Sequence, residues 1–142
     1  MKAYFGRRYT LSASHRLHAA SLTPEQNRAA YGKCNNPHGH GHNYVLEVLV
    51  GGLVSPETGM VINLVDLDRV VRNEVLDRFD HTNLNQDPLF ASAVPTTENL
   101  CRAVFQLLKG KLHVAELEYV RVEETENNFF QCFDAGSPGA VA

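Results

Sequence analysis

Apolar and polar side chains alternate along residues 3 to 17, with Tyr9, Leu11, Ala13 and His15 on one side and Arg8, Thr10, Ser12 and Ser14 on the other. A period of two predicts a strand with one buried face. Residues 42 to 51 repeat it through Tyr44, Leu46 and Val48. A turn follows through Gly51-Gly52, Pro56 and Gly59, and Met60-Val61-Ile62 is a candidate continuation of the sheet. The period then changes to three and four. Leu64, Leu67, Val71 and Val75 predict the buried stripe of a helix from Leu64 to about Phe79, capped by Asn63, with Asp68, Arg69, Arg72 and Glu74 facing water. The segment from Asp80 to Asn85 is too rich in Asn and Asp to continue that helix. A second helix opens near Thr96 or Thr97 after Pro95, buries Leu100, Ala103, Val104, Leu107 and Leu108, and ends at Gly110. Leu117 to Glu124 and Phe129 to Phe133 read as two more strands around the turn Glu126-Asn127-Asn128. Residues 18 to 39 keep no sustained period and contain Pro24, Gly32, Pro37 and Gly39. Such a long loop is usually functional or holds a short helical turn of its own.

The order strand, strand, helix, helix, strand, strand predicts an α+β domain over residues 1 to 134. Its four-stranded, mostly antiparallel sheet would carry both helices on one face, and residues 135 to 142 would form a loose tail. The sheet's edges would be left unpaired, which small sheets resolve by joining neighbouring subunits, so an oligomer is expected. A chain of 142 residues can bury a sufficient core without a disulfide. No apolar run approaches a membrane span and no signal peptide leads the chain, which makes the cytoplasm the default. A net charge of -3 argues against a nucleic-acid partner, though not against a small anionic substrate.

The candidate chemistry lies where Gly39-His40-Gly41-His42-Asn43-Tyr44 runs into the second strand. Side chains two apart share a face, so His40 and His42 emerge beside Tyr44 and Leu46. Two imidazoles are half of a zinc site, since a catalytic zinc keeps three protein ligands and one open position. His15, at the end of the first strand's apolar face, is the best third ligand. His38 creates a second, overlapping His-x-His pair, but it lies in the proline-bearing loop rather than against the strand. His18 and His113 read as surface residues. Cys101 and Cys132 read as packing residues. On residues alone, Asp80-His81 is a turn, Thr96 and Thr97 are helix caps, and Glu124 is a strand-end charge in water.

Taken jointly, several stretches resemble the 6-pyruvoyltetrahydropterin synthases. They are Ser12-Ala13-Ser14-His15-Arg16-Leu17, Gly32-Lys33-Cys34-Asn35-Asn36-Pro37, Gly39 to Tyr44, Asp80-His81, Thr96-Thr97-Glu98-Asn99 and Glu124 to Asn128. The resemblance implies the tunnelling fold, in which three subunits close a β-barrel and two trimers stack into a homohexamer. It implies His15, His40 and His42 as zinc ligands, and it favours the second His-x-His pair over the first. It implies Cys34 as catalytic base, Asp80 and His81 as a proton relay, and Glu124, Thr96 and Thr97 as pterin contacts. The implied reaction converts 7,8-dihydroneopterin triphosphate to 6-pyruvoyltetrahydropterin with loss of triphosphate. A related alternative, 6-carboxytetrahydropterin synthase, releases acetaldehyde as well. It typically has a shorter interval between cysteine and first zinc histidine than the six residues from Cys34 to His40. A third alternative, a non-catalytic zinc- or pterin-binding module, would close the metal site with a fourth protein ligand.

Overall fold

The computed structural model describes residues 1–134; the expected tail at 135 to 142 lies outside the described residues. Two long strands, β1 (Lys2–His15) and β2 (His40–Leu53), pair antiparallel from Lys2 opposite Leu53 to His15 opposite His40. The other main elements are helices α1 (Pro24–Tyr31), α2 (Leu64–Val71), α3 (Asp77–Phe79) and α4 (Thr97–Leu108), and strands β3 (Thr82–Asn83), β4 (Glu116–Thr125) and β5 (Asn128–Phe133). The sheet order is β3-β1-β2-β4-β5. Leu11, Tyr44, Leu46, Val48, Val50, Val120 and Val122 on one sheet face meet Leu67, Val71, Val75, Leu100, Val104 and Leu108 from the helices. Removing such a side chain from water contributes about 1.5–3 kcal/mol each, which is what fixes the helices to this face.

The first long helix is not regular. Leu67, Val71, Val75 and Phe79 are fully buried and spaced by four, a row that drifts by about 40° per step on an ideal helix. A π turn at Arg72–Leu76, between α2 and α3, unwinds the helix and keeps the row on the sheet. Leu64, expected in the stripe, is 36% exposed, because it stands three rather than four residues before Leu67, about 60° off the row. Asp68, expected in water, instead accepts from Arg7 Nε at 2.8 Å and Tyr9 Oη at 2.7 Å. That contact ties α2 to β1.

Three elements differ from the sequence pattern. Residues 18 to 39 contain a true helix, α1 (Pro24–Tyr31), started by a capping box between Thr23 and Gln26 with proline at its first turn. It buries only Asn27, so no apolar period announced it. Met60 to Ile62 is irregular rather than a strand, with Ile62 folded into the core. The sheet gains a fifth, two-residue strand, β3 (Thr82–Asn83), parallel to β1. Ser12 N donates to Asp80 Oδ1 at 2.8 Å and His81 N donates to Ser12 O at 2.6 Å, which draws this polar segment against β1. Among the described residues no helix is long and apolar enough to cross a membrane.

Candidate active site

At the end of the β1–β2 ladder, His15 faces His40 and Ala13 faces His42, so three imidazoles project from two adjacent strands onto the helix-covered face. One ring nitrogen from each lies within 4.8 Å of the others, and His15 Nε2 is 3.0 Å from His40 Nε2. The turn into β2 is tight. Gly39 has φ 70, and a Cβ there would stand 2.7 Å from His15 O. Only glycine lets His40 come up beside His15.

The ring nitrogens are prepared for a cation. His15 Nδ1 lies 2.8 Å from Pro95 O, which can only accept, so Nδ1 carries the proton and Nε2 offers a bare lone pair. Burial holds His15 below the ordinary imidazole value, against the pull of that carbonyl. Burial does the same at His42, opposed by Glu124. His42 Nε2 is 3.0 Å from Glu124 Oε1, yet it is buried without an aligned hydrogen-bond partner among the described residues. Three imidazoles with one ring nitrogen apiece gathered within 4.8 Å, two of them held neutral by burial, are what a three-histidine zinc site requires, so the residues fit the metal.

Glu124 reaches the cluster through β4. It shares a face with Val120 and Val122, and the β4–β5 register shifts between Glu123 and Thr125, leaving Glu124 unopposed across β5. A bulge of this kind re-aims a side chain. Thr97, 2% exposed at the start of α4, donates its hydroxyl to Glu124 Oε2. Thr96 is the N-cap of the same helix and accepts from Asn99 N. Sequence reasoning did not single out Tyr44 as a site residue, yet its hydroxyl lies 3.3 Å from His15 Nδ1. Burial and the Glu124 charge hold that phenol protonated. The strand alternation that paired His40 with His42 could have flagged it. The Pro95 carbonyl carried no signal, because any residue supplies one.

A family model for 6-pyruvoyl tetrahydropterin synthase matches residues 4–134. The chain is 46% identical over 128 residues to the 6-pyruvoyl tetrahydrobiopterin synthase of Homo sapiens, covering 89% of this chain and 88% of that one. The chain belongs to the 6-pyruvoyl tetrahydropterin synthase family. The solved structure of the Caenorhabditis elegans 6-pyruvoyl tetrahydropterin synthase superposes with a TM-score of 0.89 at 39% identity, covering 95% of this chain and 97% of that chain. The α+β tunnelling fold expected from the resemblance is therefore the fold of this lyase-family member. A putative 6-carboxy-5,6,7,8-tetrahydropterin synthase of Archaeoglobus fulgidus is 44% identical over 91 residues, covering 63% of this chain and 71% of that one.

Within this family member, Cys34 lies in a short 3-10 turn (Gly32–Asn35) pinned just beyond the end of β1 by Leu17 N donating to Cys34 O at 2.8 Å. Burial pushes the thiol up, and the Glu124 charge pushes it the same way. A cation among the imidazoles would act in the opposite direction. Asp80 and His81 do pair, Oδ1 to Nδ1 at 3.1 Å, with Asp80 held below the usual carboxyl value chiefly by the Ser12 N–H. Among the described residues no hydrogen bond or ion pair joins this pair to the three imidazoles, and the His81 side chain is 82% exposed beside β1. His18, His38 and His113 are exposed, and the buried Cys101 thiol donates to Val120 O at 3.3 Å, as a packing residue would.

Proposed function

We propose that this chain is a zinc-dependent 6-pyruvoyltetrahydropterin synthase acting on 7,8-dihydroneopterin triphosphate and releasing triphosphate. The observation that carries the reading is Glu124 seated beside three convergent imidazoles in a member of this family. Zinc bound by His15, His40 and His42 would supply Lewis acidity toward the substrate's side-chain hydroxyls and acidify the adjacent C–H. Glu124 accepts the two N–H donors of the pterin's amidine edge in a fork, since each carboxylate oxygen keeps a free lone pair beyond the Thr97 contact. Thr96 and Thr97 complete the pterin contacts while Thr96 still caps α4.

Cys34 takes the substrate proton, and His81, oriented by Asp80, returns protons during the internal redox tautomerisation. Because Asp80-His81 sits exposed at the β1 edge, the pair serves a neighbouring subunit's site. Two further observations support a homohexamer built from barrel-closing trimers: among the described residues nothing pairs with the outer side of β5, and β3 covers only two residues of β1 at the other edge. The substrate is a small molecule, with neither nucleic acid nor membrane as partner, and the enzyme works in the cytoplasm.

The second reading, a 6-carboxytetrahydropterin synthase, is favoured by the likeness to the Archaeoglobus fulgidus protein. One assay separates them. Zinc-loaded protein is incubated with 7,8-dihydroneopterin triphosphate, and aldehydes are trapped with a hydrazine and measured against triphosphate. Triphosphate release without matching acetaldehyde is expected. One acetaldehyde per triphosphate assigns the carboxy reaction, and binding without turnover assigns a non-catalytic module.

A further inference from the structure

The turn that carries Cys34 is seated by the residue beside it. Between Tyr31 and His40 only Asn35 is buried, at 8% exposure, while residues 32, 33 and 36 to 38 face water. A polar side chain buried under an exposed loop needs partners there. Asn35 Nδ2 donates to Leu17 O at 2.7 Å and lies 3.1 Å from His18 Nδ1. A carbonyl only accepts, so the amide's nitrogen, not its oxygen, faces Leu17, and its second proton is left for the imidazole lone pair. Two further bonds tighten the junction: Leu17 N donates to Cys34 O at 2.8 Å, and Arg16 Nε donates to Asn35 O at 3.1 Å. Cys34 and Asn35 thus grip both the N–H and the C=O of Leu17. That residue is a fixed point. It stands two residues after His15, and Arg16 between them is clamped by Asn85, which accepts from Arg16 N at 2.6 Å and donates to Arg16 O at 2.8 Å. On its other side the turn runs into β2 through the exposed residues 36 to 38, so the Leu17 junction is what relates the thiol to the histidine end of β1.

We propose that Asn35 is a positioning residue for the proton transfer: its buried amide holds the Cys34 turn on Leu17 and so sets where the thiol stands relative to the imidazole cluster. The proposal rests on Cys34 being the base of the proposed reaction. Asn35 acts through Cys34, because its own donors are spent on Leu17 and His18. A reacting group misplaced by about 1 Å can cost about 10²-fold in rate. The imidazoles and Glu124 are borne by β1, β2 and β4, and they keep their places when the turn shifts. Loss of the amide therefore shows in kcat and spares binding.

The test uses Asn35→Leu, which keeps the branched shape and removes the donors without adding charge. On zinc-loaded protein with 7,8-dihydroneopterin triphosphate, kcat should fall about 10- to 100-fold. KM, and zinc affinity measured by competition with a chromogenic chelator, should stay within about twofold of the parent. The control is Asn27→Leu. Asn27 is a buried amide of the same loop, but it donates to Ala19, Leu22 and Thr23 rather than bonding the Cys34 turn, so its loss should leave kcat near the parent's. A second readout needs no turnover: alkylation of Cys34 by iodoacetamide, followed by peptide mass spectrometry, with and without zinc. Zinc should speed it in the parent, since a nearby cation favours the thiolate, and should speed it less in Asn35→Leu. Parental kcat or an undiminished zinc effect in Asn35→Leu overturns the proposal. A matching loss of zinc affinity, or an equal loss of kcat in Asn27→Leu, assigns the effect to the loop as a whole and overturns it too. Should Asn35→Leu not fold, Asn35→Ser carries the same test, because its hydroxyl is one bond short of Leu17 O. Parental turnover in Cys34→Ala, or a parent whose alkylation ignores zinc, refutes the base assignment itself and the proposal with it.

Discussion

Replacing Gly39 by alanine tests whether the metal cluster depends on one close backbone approach. At φ 70 an alanine pays a left-handed backbone cost of about 1–2 kcal/mol. Its Cβ would also stand 2.7 Å from His15 O and 3.2 Å from His15 C, where ordinary contact begins at 3.4 Å. The two strands must therefore part by roughly 0.7 Å at the point where His15 faces His40, and overpacking of this kind adds about 1–3 kcal/mol. The total is about 2–5 kcal/mol. Gly110 is the control, since its φ of 78 carries the same backbone cost while a Cβ there meets nothing within 4 Å. For a chain of this size about 1 kcal/mol moves the melting temperature by some 3 °C. Gly39→Ala should then lower it by about 6–15 °C and weaken zinc binding by an order of magnitude or more. Gly110→Ala should lower it by about 3–6 °C and leave zinc binding unchanged. Thermal unfolding of the metal-free proteins and chelator competition on the zinc-loaded ones give both readouts. Equal losses of stability and equal zinc affinities in the two variants would show that the approach of Gly39 to His15 does not set the cluster's geometry.

Removing the His42 ring should strip most of the zinc, because it deletes one of three ligands, while His38→Ala should keep nearly all of it; metal analysis after dialysis decides, and equal losses would mean that the wrong His-x-His pair was assigned. Cys34→Ala should retain zinc and pterin binding but lose most turnover, whereas Glu124→Gln should mainly raise KM, by roughly 10-fold or more, as an acceptor becomes a donor facing a donor. Normal turnover in Cys34→Ala would remove it as the base. Asp68→Asn should cost about 1–2 kcal/mol in urea unfolding at neutral pH by weakening the contacts to Tyr9 and Arg7. Those contacts, Tyr9 first, hold the Asp68 carboxyl below its ordinary value. Their stabilisation is therefore full above about pH 4 and fades as pH falls through the lower folded value. The variant's stability should change less with pH across that acid range, and an unaltered acid limb would place the acid sensitivity elsewhere.

The sequence by itself determined the long strands and the main helices, because each carries a buried face whose period is written in its own side chains. It also determined the histidine triad in outline. His40 and His42 share a face by the geometry of any strand, and His15 ends a face of the same sense. The polar helix α1 escaped the hydrophobic period because it buries only Asn27, although Thr23, Pro24 and Gln26 had marked its start. The two-residue β3 escaped because hydrogen bonds to Ser12, not side-chain pattern, hold that segment to the sheet. What only the tertiary structure decided is which groups meet across elements. The bulge that frees Glu124 toward His42 depends on how β4 and β5 fall out of register. The tautomer of His15 depends on a carbonyl at Pro95, eighty residues away. Periodicity reports which side of an element is buried, and it holds no record of what lies opposite. The separation of Asp80-His81 from the imidazoles follows from the same limit, since adjacent residues form a pair from sequence alone but only packing says which site that pair faces.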